Sequence, residues 1–275
     1  MTQLRFRLWR LANRALRPLG YEVRRKRPVR ASLEAALRNV RTLGVVPASV
    51  ADVGAAYGTW SLACATVFPE SQFVLVEPLS EFEPFLVEAA IQLGNARYVA
   101  AAAGSSNGQA TLYVHRDLVG SSTYREREPD LESESRRVEA RTLDSILAEA
   151  GAQPPYLLKL DVQGAELDVL AGATAALRQT SLLVLEVSFF EFFAGGPEFA
   201  AVVERLAAEG FALYDVLGLS YRPLDGALAQ ADVLFVPLES PIRAQRLYAR
   251  PDQRAAQDAS FRSDYERRRK GGSAA

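Results

Sequence analysis

Cysteine and histidine are almost missing from this chain: its 275 residues include one of each, Cys64 and His115. A lone cysteine excludes an intramolecular disulfide and a cysteine-built zinc site, and a lone imidazole excludes a zinc centre made of histidines. A reducing, cytoplasmic compartment is the expectation. Long apolar runs are missing too, since no stretch approaches the ~20 residues of a membrane-spanning helix. The head of the chain has apolar residues interrupted by arginine and no continuous apolar h-region, so it does not read as a signal peptide. No internal repeat is visible.

What is present is ordinary globular chemistry, 49% hydrophobic and 24% charged, in a length that suits one large α/β domain with attached ends. The formal net charge of -1 hides an asymmetry. Residues 1–30 carry ten basic side chains against one acid, Glu22, so the head is +9 and the remainder -10. Leu4, Leu8, Leu11, Ala15 and Leu19 recur there at helical spacing. Two readings stand side by side: an amphipathic helix lying on anionic lipid at the inner face of a membrane, or a helix packed on the acidic body. The chain therefore divides into a basic helical segment (1–44), a main domain (45–240) and a polar tail (241–275). The last 25 residues have few apolar anchors, so fraying or disorder is expected there.

From residue 45 short β-rich runs alternate with helical stretches. Strands are read at Val50–Val53, Phe73–Val76, Tyr98–Ala102, Tyr156–Leu160 and Leu182–Val187. Helices are read at Thr59–Phe68, from an N-cap at Ser80 to Leu93, at Leu143–Ala150, from about Ala165 to Leu177, and at Pro197–Glu209. Such alternation implies right-handed βαβ units and a doubly wound parallel sheet. Phe211–Val216 and Asp232–Val236 form a final antiparallel hairpin at a sheet edge. Gln109–Val114 and Arg136–Arg141 form a hairpin-like insertion carrying a polar, mobile loop with Gly120-Ser121-Ser122 inside it. Irregular loops of that length in compact domains are usually functional.

The most specific local signal is Asp52-Val53-Gly54-Ala55-Ala56-Tyr57-Gly58, placed where the first strand gives way to the first helix. Its Asp-x-Gly-x-x-x-Gly spacing differs from the dinucleotide pattern, whose second glycine admits a pyrophosphate; Ala56 stands in that place. A ligand without phosphate, such as S-adenosylmethionine, suits it better. Glu77, followed by Pro78, closes the second strand near the ~20-residue offset at which an acid receives a ribose. Lys159 and Asp161 share one face of an apolar strand, which is costly unless the charges are paired or functional. Glu166 lies in the first turn of the next helix, where a carboxylate is favoured.

These pieces together resemble the FkbM-type methyltransferases. The resemblance runs over roughly residues 45–240 and continues through Arg141-Thr142-Leu143-Asp144, Lys159-Leu160-Asp161-Val162-Gln163-Gly164-Ala165-Glu166 and Leu185-Glu186-Val187. It implies a seven-stranded Rossmann-like sheet, mostly parallel with an antiparallel last strand, S-adenosylmethionine as cofactor, and methyl transfer to a hydroxyl of a sugar, glycan or other natural product. Many relatives carry glutamate where this chain has Gln163. The cofactor residues are then Asp52, Gly54, Ala56, Tyr57, Gly58, Glu77, Pro78 and Ala102. Candidate bases are Asp161 first, Glu186 second and His115 third, and Ser121, Ser122 and Lys159 are candidates for the acceptor. No metal is implied, although Asp161 and Glu186 could alternatively hold a divalent cation that orients a diol. The acidic body speaks against nucleic acid. The competing class is a non-catalytic scaffold that keeps the fold and uses its basic head for membrane or partner contact.

Overall fold

The computed structural model describes residues 32–128 and 131–271. The helix expected in the basic head falls on residues 1–31, outside the described residues. Of the 1–44 segment, helix α1 (Leu33–Thr42) is described; Ser32 caps it by accepting from the Ala35 N–H at 3.3 Å, and Ala36, Leu37 and Val40 are its buried side.

The main sheet has seven strands in the order β3-β2-β1-β7-β8-β10-β9. They are β1 (Ser49–Val53), β2 (Gln72–Val76), β3 (Ala96–Val99), β7 (Tyr156–Leu160), β8 (Thr180–Ser188), β9 (Phe211–Tyr221) and β10 (Leu228–Pro237). Only β10 runs antiparallel to its neighbours β8 and β9. Every residue of β1 and β7 is buried, as expected of central strands covered on both faces. Helices α2 (Thr59–Ala65), α3 (Glu83–Leu93), α4 (Leu143–Glu149), α5 (Glu166–Ala171), α6 (Thr174–Leu177) and α7 (Phe199–Ala208) connect the strands. Strand order reverses between β1 and β7, and open α/β sheets bind ligands in the crevice at the carboxyl ends of such a pair.

Several local expectations need correction. The run Tyr98–Ala102 is not one strand: the Ala101 N–H turns back to the Val99 carbonyl, and β4 (Ala102–Ala103) joins a second, three-stranded sheet with β5 (Gly108–His115) and β6 (Glu132–Arg141). Ser80 does not cap α3; it starts a 3-10 turn, Ser80–Phe82, and the helix follows. The single helix expected over 165–177 is interrupted at Gly172, where a Cβ would stand 2.1 Å from the Gly104 carbonyl oxygen. The terminal antiparallel hairpin is found at the sheet edge as expected, with β9 outermost and β10 between β8 and β9.

The residues from Leu238 form a second compact unit. Its polar stretch, expected to fray, is helix α8 (Pro251–Gly271). No proline or glycine interrupts residues 252–270, Ala, Gln, Glu and Arg favour helix, and Arg267 pairs with Asp264 one turn earlier. Among the described residues no helix is long and apolar enough to cross a membrane.

Candidate functional site

The bend after β1 is shaped by close approach. Gly54 has φ +76°, and a Cβ there would lie 1.8 Å from the backbone oxygen of Asp161, so only glycine lets the ends of β1 and β7 come together. Ala56 takes a left-handed φ of +43°, uncommon without glycine, and Gly58 at φ +71° passes close to Ala89 on α3. This contorted path aims the Ala56 N–H at Glu77 Oε2, 3.2 Å away. The other carboxylate oxygen, Oε1, accepts from the Leu79 N–H at 3.0 Å. Glu77 is buried, and burial pushes its carboxyl up to about 7 against the lowering effect of those two N–H groups.

Behind the bend lies a paired charge network. Asp52 is wholly buried; its Oδ2 accepts from Ser61 Oγ at 2.7 Å and its Oδ1 is 3.1 Å from Lys159 Nζ. Lys159 Nζ also donates to the Gly54 carbonyl at 2.8 Å and lies 3.4 Å from Asp161 Oδ2. Burial alone would lower this ammonium, but Asp52 and Asp161 outweigh it and hold Lys159 above its ordinary value. The expensive charge in the central strand is thus compensated by pairing across β1 and β7.

Asp161 directly follows β7, and its side chain is about one-third exposed. Gln163 Nε2 donates to Asp161 Oδ1 at 2.8 Å and to Glu186 Oε2 at 3.0 Å, and Gln230 Nε2 donates to the same Glu186 oxygen at 2.7 Å. Burial first, then the charges of Asp161 and Asp232, raise the Glu186 carboxyl to about 8. Glu166 turns inward to close the β7–α5 turn, accepting from the Val162 and Gly164 N–H groups, and burial raises it to about 7.

The insertion covers the carboxyl end of the sheet. Its loop, expected to be mobile, is tied down. Ser122 pairs with Tyr113 through both backbone groups, its Oγ donates to the Gln163 carbonyl at 2.6 Å, and the Arg127 N–H donates to the Phe192 carbonyl. Ser121 Oγ donates to the Leu118 carbonyl and accepts from the His115 N–H. His115 sits within this loop, Nδ1 2.6 Å from Asp117 Oδ1 and Nε2 3.5 Å from Glu126 Oε2, with its ring against Gly120.

A cavity of about 650 Å³, counting its open mouth, joins these parts. Gly54, Ala56, Glu77, Pro78 and Ala102 line it on one side, and Ser121, Ser122 and Asp161 on another. Asp52 and Lys159 lie behind its wall, since each is consumed by the other's charge. Tyr57 is outside the lining, half exposed and packed edge-on against Phe82 and Phe85. Gly58, Glu186 and His115 are also outside the lining, although Glu186 reaches it through Gln163. Sequence reasoning missed Phe82, Val119 and Val162 in the wall, which are apolar residues with no distinguishing spacing. It also passed over Gln163 as a linker of carboxylates. Among the described residues no group of three or more His, Cys, Asp or Glu could hold a metal ion.

The family model described as Methyltransferase FkbM domain matches residues 52–213. Among curated proteins, the 2-O-methyltransferase NoeI of Sinorhizobium fredii is 39% identical over 69 residues, 25% of this chain and 28% of NoeI. The AMB antimetabolite synthetase AmbE of Pseudomonas aeruginosa is 47% identical over 58 residues, 21% of this chain and 3% of AmbE. The chain thus spans less than a third of either curated relative. Among solved structures, a methyltransferase FkbM from Methylobacillus flagellatus is 15% identical with a TM-score of 0.45, over 75% of this chain and 48% of the other.

Proposed function

The chain belongs to the FkbM methyltransferase family, and from that premise we propose that it is an S-adenosylmethionine-dependent methyltransferase acting on a hydroxyl oxygen of a small-molecule or glycan acceptor. One observation carries this reading: the glycine bend after β1, the buried Glu77 carboxylate and Asp161 wall the same cavity, with no lysine or arginine among its lining residues. Such a wall disfavours a phosphate-bearing nucleotide and suits a ligand with a positive charge.

The residues fit the adenosyl group. A carboxylate offers about four lone-pair sites. Glu77 uses one on each oxygen for backbone N–H groups, which leaves acceptor capacity on both for a ribose diol. S-adenosylmethionine, when bound, supplies a methyl group on a positively charged sulfur. Asp161 takes the proton of the acceptor hydroxyl, a contribution of roughly 10²–10⁴-fold for a placed general base. The Leu118–Ser122 stretch covers the cavity and excludes water, and holding the reactants in register lowers the barrier further. The similarity to NoeI, a 2-O-methyltransferase, supports oxygen as the accepting atom.

Calorimetric titration of S-adenosylmethionine into the full chain is the first test, and the absence of binding ends this reading. A methyl-donor assay against glycans and hydroxylated metabolites follows. Asp161→Asn is expected to lower turnover by roughly 10²-fold or more while cofactor affinity stays within a few fold. Unchanged turnover would remove Asp161 as the base.

A further inference from the structure

A groove distinct from the cofactor cavity lies at the same end of the sheet. Ser188, Gln230 and Ser220 stand in line across β8, β10 and β9. Beyond that line the chain leaves β8 through Phe190, Glu191 and Phe192, and turns from β9 to β10 through Arg222, Pro223 and Leu224. These two turns and residues 126–128 of the covering insertion enclose about 1030 Å³, counting the open side. Groove and cavity are neighbours. Phe193 packs on Gly164, where a Cβ would stand 3.0 Å from its ring, and Gln163 and Ala165 on either side of that glycine line the cavity.

We propose that this groove is an acceptor subsite for the non-reacting sugars of a neutral oligosaccharide. Its arginines are already paired. Arg127 Nη2 meets Glu191 Oε1 at 2.6 Å, and Arg222 holds both oxygens of Asp225, its Nε donating to Oδ1 at 2.7 Å. Backbone fixes each carboxylate in turn: Glu191 accepts from the Gly195 N–H at 2.7 Å, and Asp225 from the Ala227 N–H at 2.9 Å. The Arg222 guanidinium also lies over the Phe190 ring, 4.0 Å from its centre. Three acids, Glu126, Glu128 and Glu191, line the groove against two arginines, so it does not gather anions. Exposed ion pairs add little to stability, but pairs held this way present N–H donors beside carboxylate acceptors in fixed places. A hydroxyl both donates and accepts, so it can use both members of such a pair. Phe192, Pro223 and Leu224 supply the apolar part of the lining. A sugar ring matches that mixture, with C–H groups on its face and hydroxyls around its edge. Partners fixed in advance also lose little freedom when the ligand arrives. That the bound chain offers a hydroxyl to Asp161 rests on the methyl-transfer reading; the binding of sugar in the groove does not.

The test is binding of the full-length chain to an array of neutral and acidic oligosaccharides built from hexoses, deoxyhexoses and N-acetylhexosamines. Neutral oligosaccharides should bind. Phe192→Ala should weaken that binding about tenfold, the loss expected when an aromatic face is removed. Leu224→Asp, which puts a charge on the apolar lining, should weaken it as well. Leu224 is 83% exposed at a turn, so this variant folds and decides the matter if Phe192→Ala does not. The proposal is overturned if no oligosaccharide binds, if only acidic ones do, or if the folded variants bind neutral ones as tightly as the wild type. Calorimetry with S-adenosylmethionine on the same samples keeps the two readings apart. A wild-type chain that binds sugar and no cofactor strikes the proposed function alone, and one that binds cofactor and no sugar strikes this subsite alone.

Discussion

Gly54 shows how one residue makes the cavity. Its φ of +76° disfavours any other side chain, and the space a Cβ needs is taken by the backbone of Asp161 at 1.8 Å. Backbone cannot swing aside as a flexible side chain can, so Gly54→Ala must push the ends of β1 and β7 apart. That shift would break the Lys159 contact with the Gly54 carbonyl and move Ala56 away from Glu77. We expect a loss of about 2–4 kcal/mol, at the upper end of single-residue effects, and no measurable S-adenosylmethionine binding. Chemical denaturation and calorimetry check both, and near wild-type stability would show that the approach is not tight. This glycine was legible in the sequence because its spacing sits at a strand end. Asp161 was legible because a charge at the end of an apolar strand needs a reason. Lys159 carried the same signal, but its reason is pairing with Asp52, a partner that only the sheet register brings near. The Gln163–Glu186 contact was illegible for the same cause.

Elements read well where burial is uniform and poorly where residues are small. β7 was legible to the residue and β1 to within one, because central strands covered on both faces read as near-continuous apolar runs. The β3–β4 break was not, since Ala100 to Ala103 offers no size or polarity by which to locate a turn. The covering loop failed for another reason: its composition is polar, yet its anchors are hydrogen bonds made with distant backbone. Ser122 is the main anchor, 2% exposed, donating to the Gln163 carbonyl and accepting from the Tyr124 N–H. Ser122→Ala leaves both backbone groups without that partner, at about 1–3 kcal/mol for each buried one. The cost falls on the loop, because β7 and β8 keep their own ladder. Hydrogen exchange should therefore speed up over residues 113–128 and stay unchanged over 156–160 and 180–188. Equal protection loss in both regions would mean that the loop is not an independent element.

At the scale of the whole molecule, the buried acids set how stability follows pH. Glu77 and Glu166 titrate at about 7 and Glu186 at about 8, each raised from an ordinary 4.5, by burial above all. Between pH 4.5 and 8 the folded chain holds protons that the unfolded chain has released. Stability therefore falls as pH rises through this window and levels off above it. The fall should amount to roughly 1–3 kcal/mol once the sites relax, a drop in Tm of about 3–10 °C for a chain of this size. Glu166 is the place to isolate one contribution. Its Oε1 accepts two backbone N–H groups, a task that a glutamine oxygen performs equally well. Glu166→Gln should thus match the wild type at pH 5 and exceed it at pH 8 by about 1 kcal/mol, because no buried charge has to form. Scanning calorimetry of both proteins from pH 5 to 8, without ligand, measures the two slopes. A wild-type Tm that climbs across that range would contradict the raised values of these three carboxyls.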